Sequence, residues 1–463
     1  MKNMTLEAIA KACNGKLFCS YNLTNQEVQG VVLDSRKIDK DYLFIATVGE
    51  RVDGHDFIEE AYAKGAMAVI CEKPPINPAI PYILVDSSFE ALKAIATWYR
   101  SQLDIKVIGV TGSVGKTSTK EFISSVLSQR YRVLKTEGNF NNEVGLPLTI
   151  LRIRDDHEIA VLEMGISEYG EMHRLSAIAK PDLCVITNIG PCHLENLGSL
   201  EGVLKAKSEI FDYMKENGSV CINGDDKMLS TIKDVKGIKP LIFGLNNSYD
   251  VYASDITYEG LYGSSCNIHV NGQIISTSIP LPGEHMVYNA LAATALGNLF
   301  KMTADEISSG IMAVKPVNGR SNIITMERWT IIDDCYNANP ISMKAAIKLL
   351  KKADENKIAI LGDMFELGEN EAKLHKEVGS YAGSLDLDVL ICVGKLSSHM
   401  YDGAMEAGFK GNLLYFETRD ELLDILPSFK WYKSQKSPSH SPTILVKASH
   451  GMGFDKIVKV LKE

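Results

Sequence analysis

A short apolar strand runs into a glycine turn and then a helix at Val107-Ile108-Gly109-Val110-Thr111-Gly112-Ser113-Val114-Gly115-Lys116-Thr117-Ser118. No other part of the chain constrains the fold as strongly. A buried strand that feeds a helix through a tight turn belongs to a mainly parallel sheet covered on both faces. Phe122, Ile123, Val126 and Leu127 repeat on one face, so the spacing predicts a helix after the turn. Backbone N–H groups of such a turn, with the helix N-terminus behind them, can cradle phosphate oxygens. Lys116 then reaches for the terminal phosphates, and the Thr117 hydroxyl is placed for Mg²⁺. The general pattern has a glycine where this chain has Val110; here the paired glycine is Gly112. Glu163 ends the apolar run Ile159-Ala160-Val161-Leu162, a suitable place for the carboxylate that holds the metal. A plain strand–turn–helix with a chance Gly-Lys-Thr is the bland alternative.

The 463 residues are too many for one core and suit about three domains. The reading is residues 1–100, 101–314 and 315–463. In the first, strands are expected at Val28 to Leu33, Tyr42 to Ala46 and Ala66 to Cys71, with helices at Phe57 to Lys64 and Phe89 to Leu103. In the second, Lys106 to Val110, Ile159 to Leu162, Leu183 to Thr187 and Val220 to Ile222 suit buried strands. An antiparallel ribbon follows between Asp250 and Ile279, and the helix Met286 to Phe300 closes the segment. In the third, strands are expected at Trp329 to Asp333, Lys357 to Leu361, Val389 to Val393, Leu413 to Phe416 and Thr443 to Val446. Helices start from Ser342 and Glu371, and Lys433 to Pro442 is an exposed loop.

Composition narrows the function classes. The net charge of −9, with no long basic run, argues against nucleic acid as a partner. The nine scattered cysteines, with no Cys-x-x-Cys pair, read as reduced thiols. No secretory signal and no bilayer-spanning apolar stretch is expected, so the reading is a cytoplasmic protein.

Lys207 is out of place. The segment Ser199 to Lys215 reads as one helix whose apolar stripe is Leu200, Val203, Leu204, Ile210, Phe211 and Met214, and Lys207 sits at its centre. An unpaired buried ammonium costs several kcal/mol, so such a lysine snorkels outward, is neutralised, or is chemically altered. The preceding loop, Asn188 to Glu195, carries a possible metal ligand in His193. A lysine that took up CO₂ would become a carbamate, an oxygen ligand for a second Mg²⁺.

With these residues in view, the chain resembles the Mur ligase family along essentially its whole length. Thr111 to Thr117 is similar to that family's own phosphate loop, which lacks the early glycine. Gly138-Asn139-Phe140-Asn141-Asn142-Glu143-Val144-Gly145 is similar to the loop after the first helix. Glu163, His193 and Lys207 match the metal carboxylate, the second-metal histidine and the carbamylated lysine. Asn289, in Gly283 to Ala290, matches an adenine contact, Arg320 an arginine brought to the phosphates, and Asp334 an acid near the ribose. Cys335-Tyr336-Asn337-Ala338-Asn339-Pro340 and Gly362-Asp363-Met364-Phe365-Glu366-Leu367-Gly368 point to the branch that adds D-alanyl-D-alanine to UDP-N-acetylmuramoyl-tripeptide. Ser35 and Arg36 resemble the module that holds the UDP-sugar. The chain departs at Lys447-Ala448-Ser449-His450-Gly451, where the family usually shows Lys-Gly-Ser-Arg-Gly, and no contact is carried over there.

The resemblance implies an α/β protein of three domains: a small UDP-sugar-binding unit, a central ATP-binding phosphate-loop unit with a mostly parallel sheet, and a Rossmann-like C-terminal unit that binds the incoming dipeptide. It implies ATP-dependent ligation through an acyl phosphate, with Lys116, Lys207, His193 and Arg320 in the catalytic set. Gly112 to Ser118, Asn289, Arg320 and Asp334 would bind ATP, and Thr117, Glu163, His193 and Lys207 would hold two Mg²⁺. Ser35, Arg36, Asn139, Asn142, Tyr336, Asn337 and Asn339 would meet substrate. A monomer is expected, open without ligands and closed with them. Two readings stay beside this one: a sibling ligase adding a single amino acid or extending folate, and a phosphate-loop switch that ligates nothing.

Overall fold

Runs of β-branched and aliphatic residues separated by amphipathic helices build three α/β units, and the computed structural model describes residues 1–353, 356–428 and 441–463. The first sheet contains β1 (Lys16–Phe18), β2 (Gly30–Val32), β3 (Tyr42–Ile45), β4 (Ala66–Cys71) and β5 (Tyr82–Leu84), in the order β1-β5-β4-β3-β2. All its pairings are parallel except that of β1 with β5.

The middle sheet holds β6 (Lys106–Thr111), β7 (Val133–Lys135), β8 (Ile159–Glu163), β9 (Leu183–Ile186), β10 (Ser219–Asn223), β11 (Leu241–Gly244), β12 (Val251–Tyr258), β13 (Ser264–Val270) and β14 (Gln273–Ile279). Its order is β14-β13-β12-β11-β10-β9-β6-β8-β7, parallel from β7 to β12 and antiparallel across β12, β13 and β14. The expected ribbon is therefore present as an extension of the parallel sheet. β6 lies between β8 and β9, so the chain leaves β6 at the point where strand order reverses. Open α/β sheets bind ligands in the crevice formed there.

The third sheet contains β15 (Asn322–Thr325), β16 (Thr330–Asp333), β17 (Lys357–Gly362), β18 (Val389–Val393), β19 (Asn412–Phe416) and β20 (Thr443–Lys447), ordered β15-β16-β20-β17-β18-β19. Only β15 runs antiparallel to its neighbour.

Alternation along β6 divides the core. Val107 faces an apolar cluster that the first and middle sheets share, while Ile108 and Val110 face a second cluster. In that second cluster the helices Lys116–Leu127, His285–Leu299 and Ala304–Met312 pack together. The helix Ser88–Ser101 ties the first unit to the middle one: Tyr99 OH donates to the Ile153 carbonyl at 2.7 Å, and buried Arg100 donates to Ala179 O at 2.8 Å.

Two expectations need correction. The helix Met286 to Phe300 does not close the middle segment, because Ala304–Met312 follows it onto the same core, started by a Thr303/Glu306 capping box. The segment Ser199 to Lys215 is not one helix. It is helical over Leu200–Ser208 and then tightens into a 3₁₀ turn at Glu209–Phe211. There the Ile210 carbonyl accepts from Ser176 Oγ at 2.9 Å, and the Glu209 carboxylate accepts from the Gly170 and His173 N–H groups. Those side-chain partners satisfy the chain without further helix. Leu200, at the first turn, is exposed rather than part of the stripe. Residues 433–440 of the expected Lys433 to Pro442 loop lie outside the described residues. Among the described residues, no helix is long and apolar enough to cross a membrane.

Candidate functional site

The turn after β6 works only with glycine at two positions. Gly112 has φ +148°, and a Cβ there would stand 2.0 Å from Thr187 Oγ1; Gly115 has φ +80° and opens the helix Lys116–Leu127. Val110 needs no such freedom because it is still a buried strand residue. The loop is braced from the end of β9: Ser113 N donates to Asn188 O at 3.0 Å, Val114 N donates to Asn188 Oδ1 at 2.9 Å, and Thr187 Oγ1 donates to Val114 O at 2.6 Å. The N–H groups of Ser113 and Val114 are thus already engaged. The N–H groups that open the helix at Lys116 have no intrahelical partners and remain to meet an anion.

Gly112→Ala is expected to dislodge Thr187 and slacken this brace. ADP affinity measured by calorimetry should fall at least about tenfold, and unfolding stability by ~1–3 kcal/mol. Unchanged ADP affinity would contradict the role given to the turn.

A cavity of about 650 Å³ lies over this turn, walled by the middle and third units. The middle unit contributes Lys116, Asn142, Glu163, His193 and Asn289 to its lining, with Ser113, Val114, Gly115 and Ser118 from the turn. The third unit contributes Arg320, Asp334, Tyr336, Asn337 and Asn339. Residues more than two hundred positions apart in sequence therefore face one space. Gly112, Thr117 and Lys207 are buried and do not line it, and Asn139 is beside Tyr336. Ser35 and Arg36 are not part of it. Ser35 is buried in the first unit, and Arg36 is exposed and paired with Asp34 at 2.9 Å. Lys37, next in sequence, has its Nζ 5.9 Å from the centre of the Phe140 ring, joining the first unit to the Gly138 to Gly145 loop.

Two cations reach the cavity from different units. Lys116 Nζ donates to Gly112 O at 2.8 Å, and burial, with Arg320 nearby, lowers its pKa. Arg320 sits over Tyr336, its guanidinium carbon 4.1 Å from the ring centre, a cation–π contact. Asp334 is held by Lys447, whose Nζ is 2.7 Å from Oδ2, and it accepts from Ser321 N at 2.8 Å. Asn289 Oδ1 accepts from Thr119 Oγ1 at 2.8 Å, which ties it to the first turn of the phosphate-loop helix. Asn339 serves as a helix cap, its Oδ1 accepting from Ser342 N at 2.9 Å. Asn337 Oδ1 accepts from Ala338 N.

Several buried polar atoms are left over, His193 Nδ1 among them. Thr117 Oγ1, Glu163 Oε2 and Lys207 Nζ have no hydrogen-bond partner among the described residues. Lys207 is fully buried, and burial pulls its pKa from 10.5 down to about 8, with Lys116 adding repulsion and Cys192 opposing. The snorkelling alternative is therefore excluded. Glu163 Oε1 accepts from Asn141 Nδ2 at 2.8 Å, and Oε2 is 3.8 Å from the buried Lys120 ammonium. Orphaned groups of this kind call for an ion or a ligand. Among the described residues no three His, Cys, Asp or Glu side chains form a cage for a metal. A hydroxyl with one carboxylate nevertheless suits Mg²⁺, which keeps several waters and takes substrate phosphates as ligands.

Sequence reasoning passed over Asn141, Asn188 and Lys447. Asn141 lay in a quoted loop, and Lys447 in the string set aside for its departures; neither revealed its partner. His450, at one of those departures, has its ring 5.4 Å from that of Tyr336 and so borders the site.

Comparison with known proteins agrees with this geometry. Residues 27–97 match the Mur ligase family catalytic domain, 110–297 the Mur ligase middle domain, and 319–430 the Mur ligase glutamate ligase domain. The chain is 38% identical over 470 residues to the UDP-N-acetylmuramoyl-tripeptide–D-alanyl-D-alanine ligase of Bacillus subtilis, covering 100% of this chain and 99% of that one. Among solved structures, MurF from Acinetobacter baumannii superposes with a TM-score of 0.88 at 30% identity, covering 99% of both chains. MurF from Thermotoga maritima in complex with ADP gives 0.79 at 29% identity, covering 94% of this chain and 97% of that one. With three of the family's domains in order along one polypeptide and full-length likeness to its members, this chain belongs to the Mur ligase family.

Proposed function

We infer that this chain is an ATP-dependent ligase that joins D-alanyl-D-alanine to UDP-N-acetylmuramoyl-tripeptide, a step in building peptidoglycan precursors. The observation that carries this reading is that Lys116 from the middle unit and Arg320 from the third line one cavity, with the unpartnered Lys207 near enough to Lys116 to feel its charge. Residues 1–100 would hold the UDP-sugar, 101–314 the ATP, and 315–463 the dipeptide. We place the enzyme in the cytoplasm, as a monomer.

In the first step an oxygen of the tripeptide carboxylate attacks the γ-phosphorus of ATP, and ADP leaves. In the second the free amine of D-alanyl-D-alanine attacks the acyl phosphate carbon. The C–O bond breaks, inorganic phosphate leaves with that oxygen, and the amine loses a proton as the amide forms. Phosphoryl transfer demands positioning and charge neutralisation more than covalent help from protein. Lys116 and Arg320 hold the equatorial phosphate oxygens from opposite walls. Lys207, its pKa lowered to about 8, has an appreciable neutral fraction near neutral pH and can add to CO₂ with loss of a proton. Thr117 and Glu163 would hold one Mg²⁺, His193 and the Lys207 carbamate a second, and these ions would neutralise charge on the phosphates. Tyr336 keeps Arg320 aimed, and docking of the third unit excludes water from the acyl phosphate.

A coupled phosphate-release assay with UDP-tripeptide and a panel of amines tests this. Release should require D-alanyl-D-alanine and ignore single amino acids and glutamate. Release that responds to a single amino acid would assign a sibling reaction, and release indifferent to any amine would assign a switch.

A further inference from the structure

The motif Asp363-Met364-Phe365-Glu366-Leu367-Gly368 has no role in the mechanism above, yet its backbone is held firmly. Asp363 Oδ1 accepts from Ser397 N at 2.7 Å and from Ser397 Oγ at 2.6 Å. Met364 N donates to His375 Nε2 at 2.9 Å, and Phe365 N donates to Ser449 Oγ at 2.9 Å. Glu366 then takes the left-handed conformation at φ +62°, uncommon for a residue with a side chain. Its carboxylate crosses to the middle unit, where Oε2 lies 2.5 Å from His193 Nδ1, a close ionic contact without the geometry of a hydrogen bond. His193 is itself left-handed, at φ +51°. The approach is close: a Cβ on Gly368 would lie 3.2 Å from the Glu195 Cα. Two strained residues on different units therefore meet side chain to side chain, and strain of this kind marks functional contacts.

A carboxylate favours a proton on the nitrogen that faces it, so in the neutral ring Glu366 places the proton on His193 Nδ1 and leaves the lone pair on Nε2. That is the form in which histidine ligates a metal, and carboxylate partners commonly fix it. We propose that Glu366 is a positioning residue of the third unit that sets the His193 tautomer and orientation, so that the middle unit's ligand set is ordered only when the third unit is docked. This rests on the ligase reading for its purpose, while the contact itself is independent of that reading.

The test compares wild type, Glu366→Ala, Glu366→Gln and Glu369→Ala, the last an exposed acid on the same loop. Selective ¹⁵N-histidine labelling reads the tautomer, with the His193 signal identified by its loss in His193→Asn. Mn²⁺ binding in the presence of ADP, read by electron spin resonance, measures the metal site without turnover. Wild type should show Nδ1–H at His193. Glu366→Ala should lose that preference and weaken Mn²⁺ binding ~10–100-fold. Glu366→Gln, whose amide oxygen still accepts, should retain most of both, and Glu369→Ala should match wild type. An unchanged tautomer and Mn²⁺ affinity in a folded Glu366→Ala protein would overturn the proposal. Failure of wild type to release phosphate with D-alanyl-D-alanine would instead sink the ligase reading and leave the tautomer result standing.

Discussion

Lys207→Met should cripple ligation while leaving the fold as stable as before, or more so. Methionine keeps the length and apolar fit of a side chain that is wholly buried, and it removes an amine without a hydrogen-bond partner. The lowering of the Lys207 pKa from 10.5 to about 8 corresponds to ~3 kcal/mol held against the charged form. The unfolded chain binds this proton more tightly than the folded one. The unmodified protein therefore bears the full penalty below about pH 8 and sheds it as pH rises toward 10.5. At pH 7, in CO₂-stripped buffer, Lys207→Met should melt above wild type. The kcat should fall on the order of 10²–10³-fold or more, as when a preorganised electrostatic contact to a transition state is removed. Bicarbonate should restore activity to stripped wild type and do nothing for the variant. Full activity in Lys207→Met would show that the amine serves no catalytic end.

Arg320→Ala is the second large effect expected. Arg320 is a cation that the third unit brings to the cavity lined by Lys116, and arginines that stabilise a transferring phosphoryl group are worth on the order of 10³-fold in kcat. ADP affinity should change only a few-fold, because the loss falls on the transition state. Arg320→Lys should recover little of the loss. A lysine keeps the charge but cannot offer the planar donor fork that arginine holds 4.1 Å from the centre of the Tyr336 ring. Single-turnover measurement of ADP formation separates the chemical step from release. An Arg320→Ala enzyme with wild-type single-turnover rates would remove Arg320 from the mechanism.

Much of this was legible in the sequence because it was local. The Gly112 and Gly115 positions, the strand that ends in Glu163 and the apolar surroundings of Lys207 are each set by a few neighbouring residues. The α/β class followed from the same alternation. Long-range pairings carried no local signal. Nothing about Asn141 announces that it donates to Glu163, nothing about Asn188 that it occupies the Ser113 and Val114 N–H groups, and nothing about Glu366 that it meets His193. The early end of the helix after Ser199 has a similar origin, since Ser176 and the Gly170 and His173 N–H groups reach in from another helix. The helix after Met302 was legible and passed over: Thr303-Ala304-Asp305-Glu306 is a capping box written in four residues.

The assignment of acyl-phosphate chemistry depends on where one oxygen goes. UDP-tripeptide labelled with ¹⁸O in its terminal carboxylate, incubated with ATP and D-alanyl-D-alanine, should transfer one label per turnover into inorganic phosphate. Phosphate free of label, formed at the same rate as the amide, would contradict activation of the carboxylate by phosphoryl transfer.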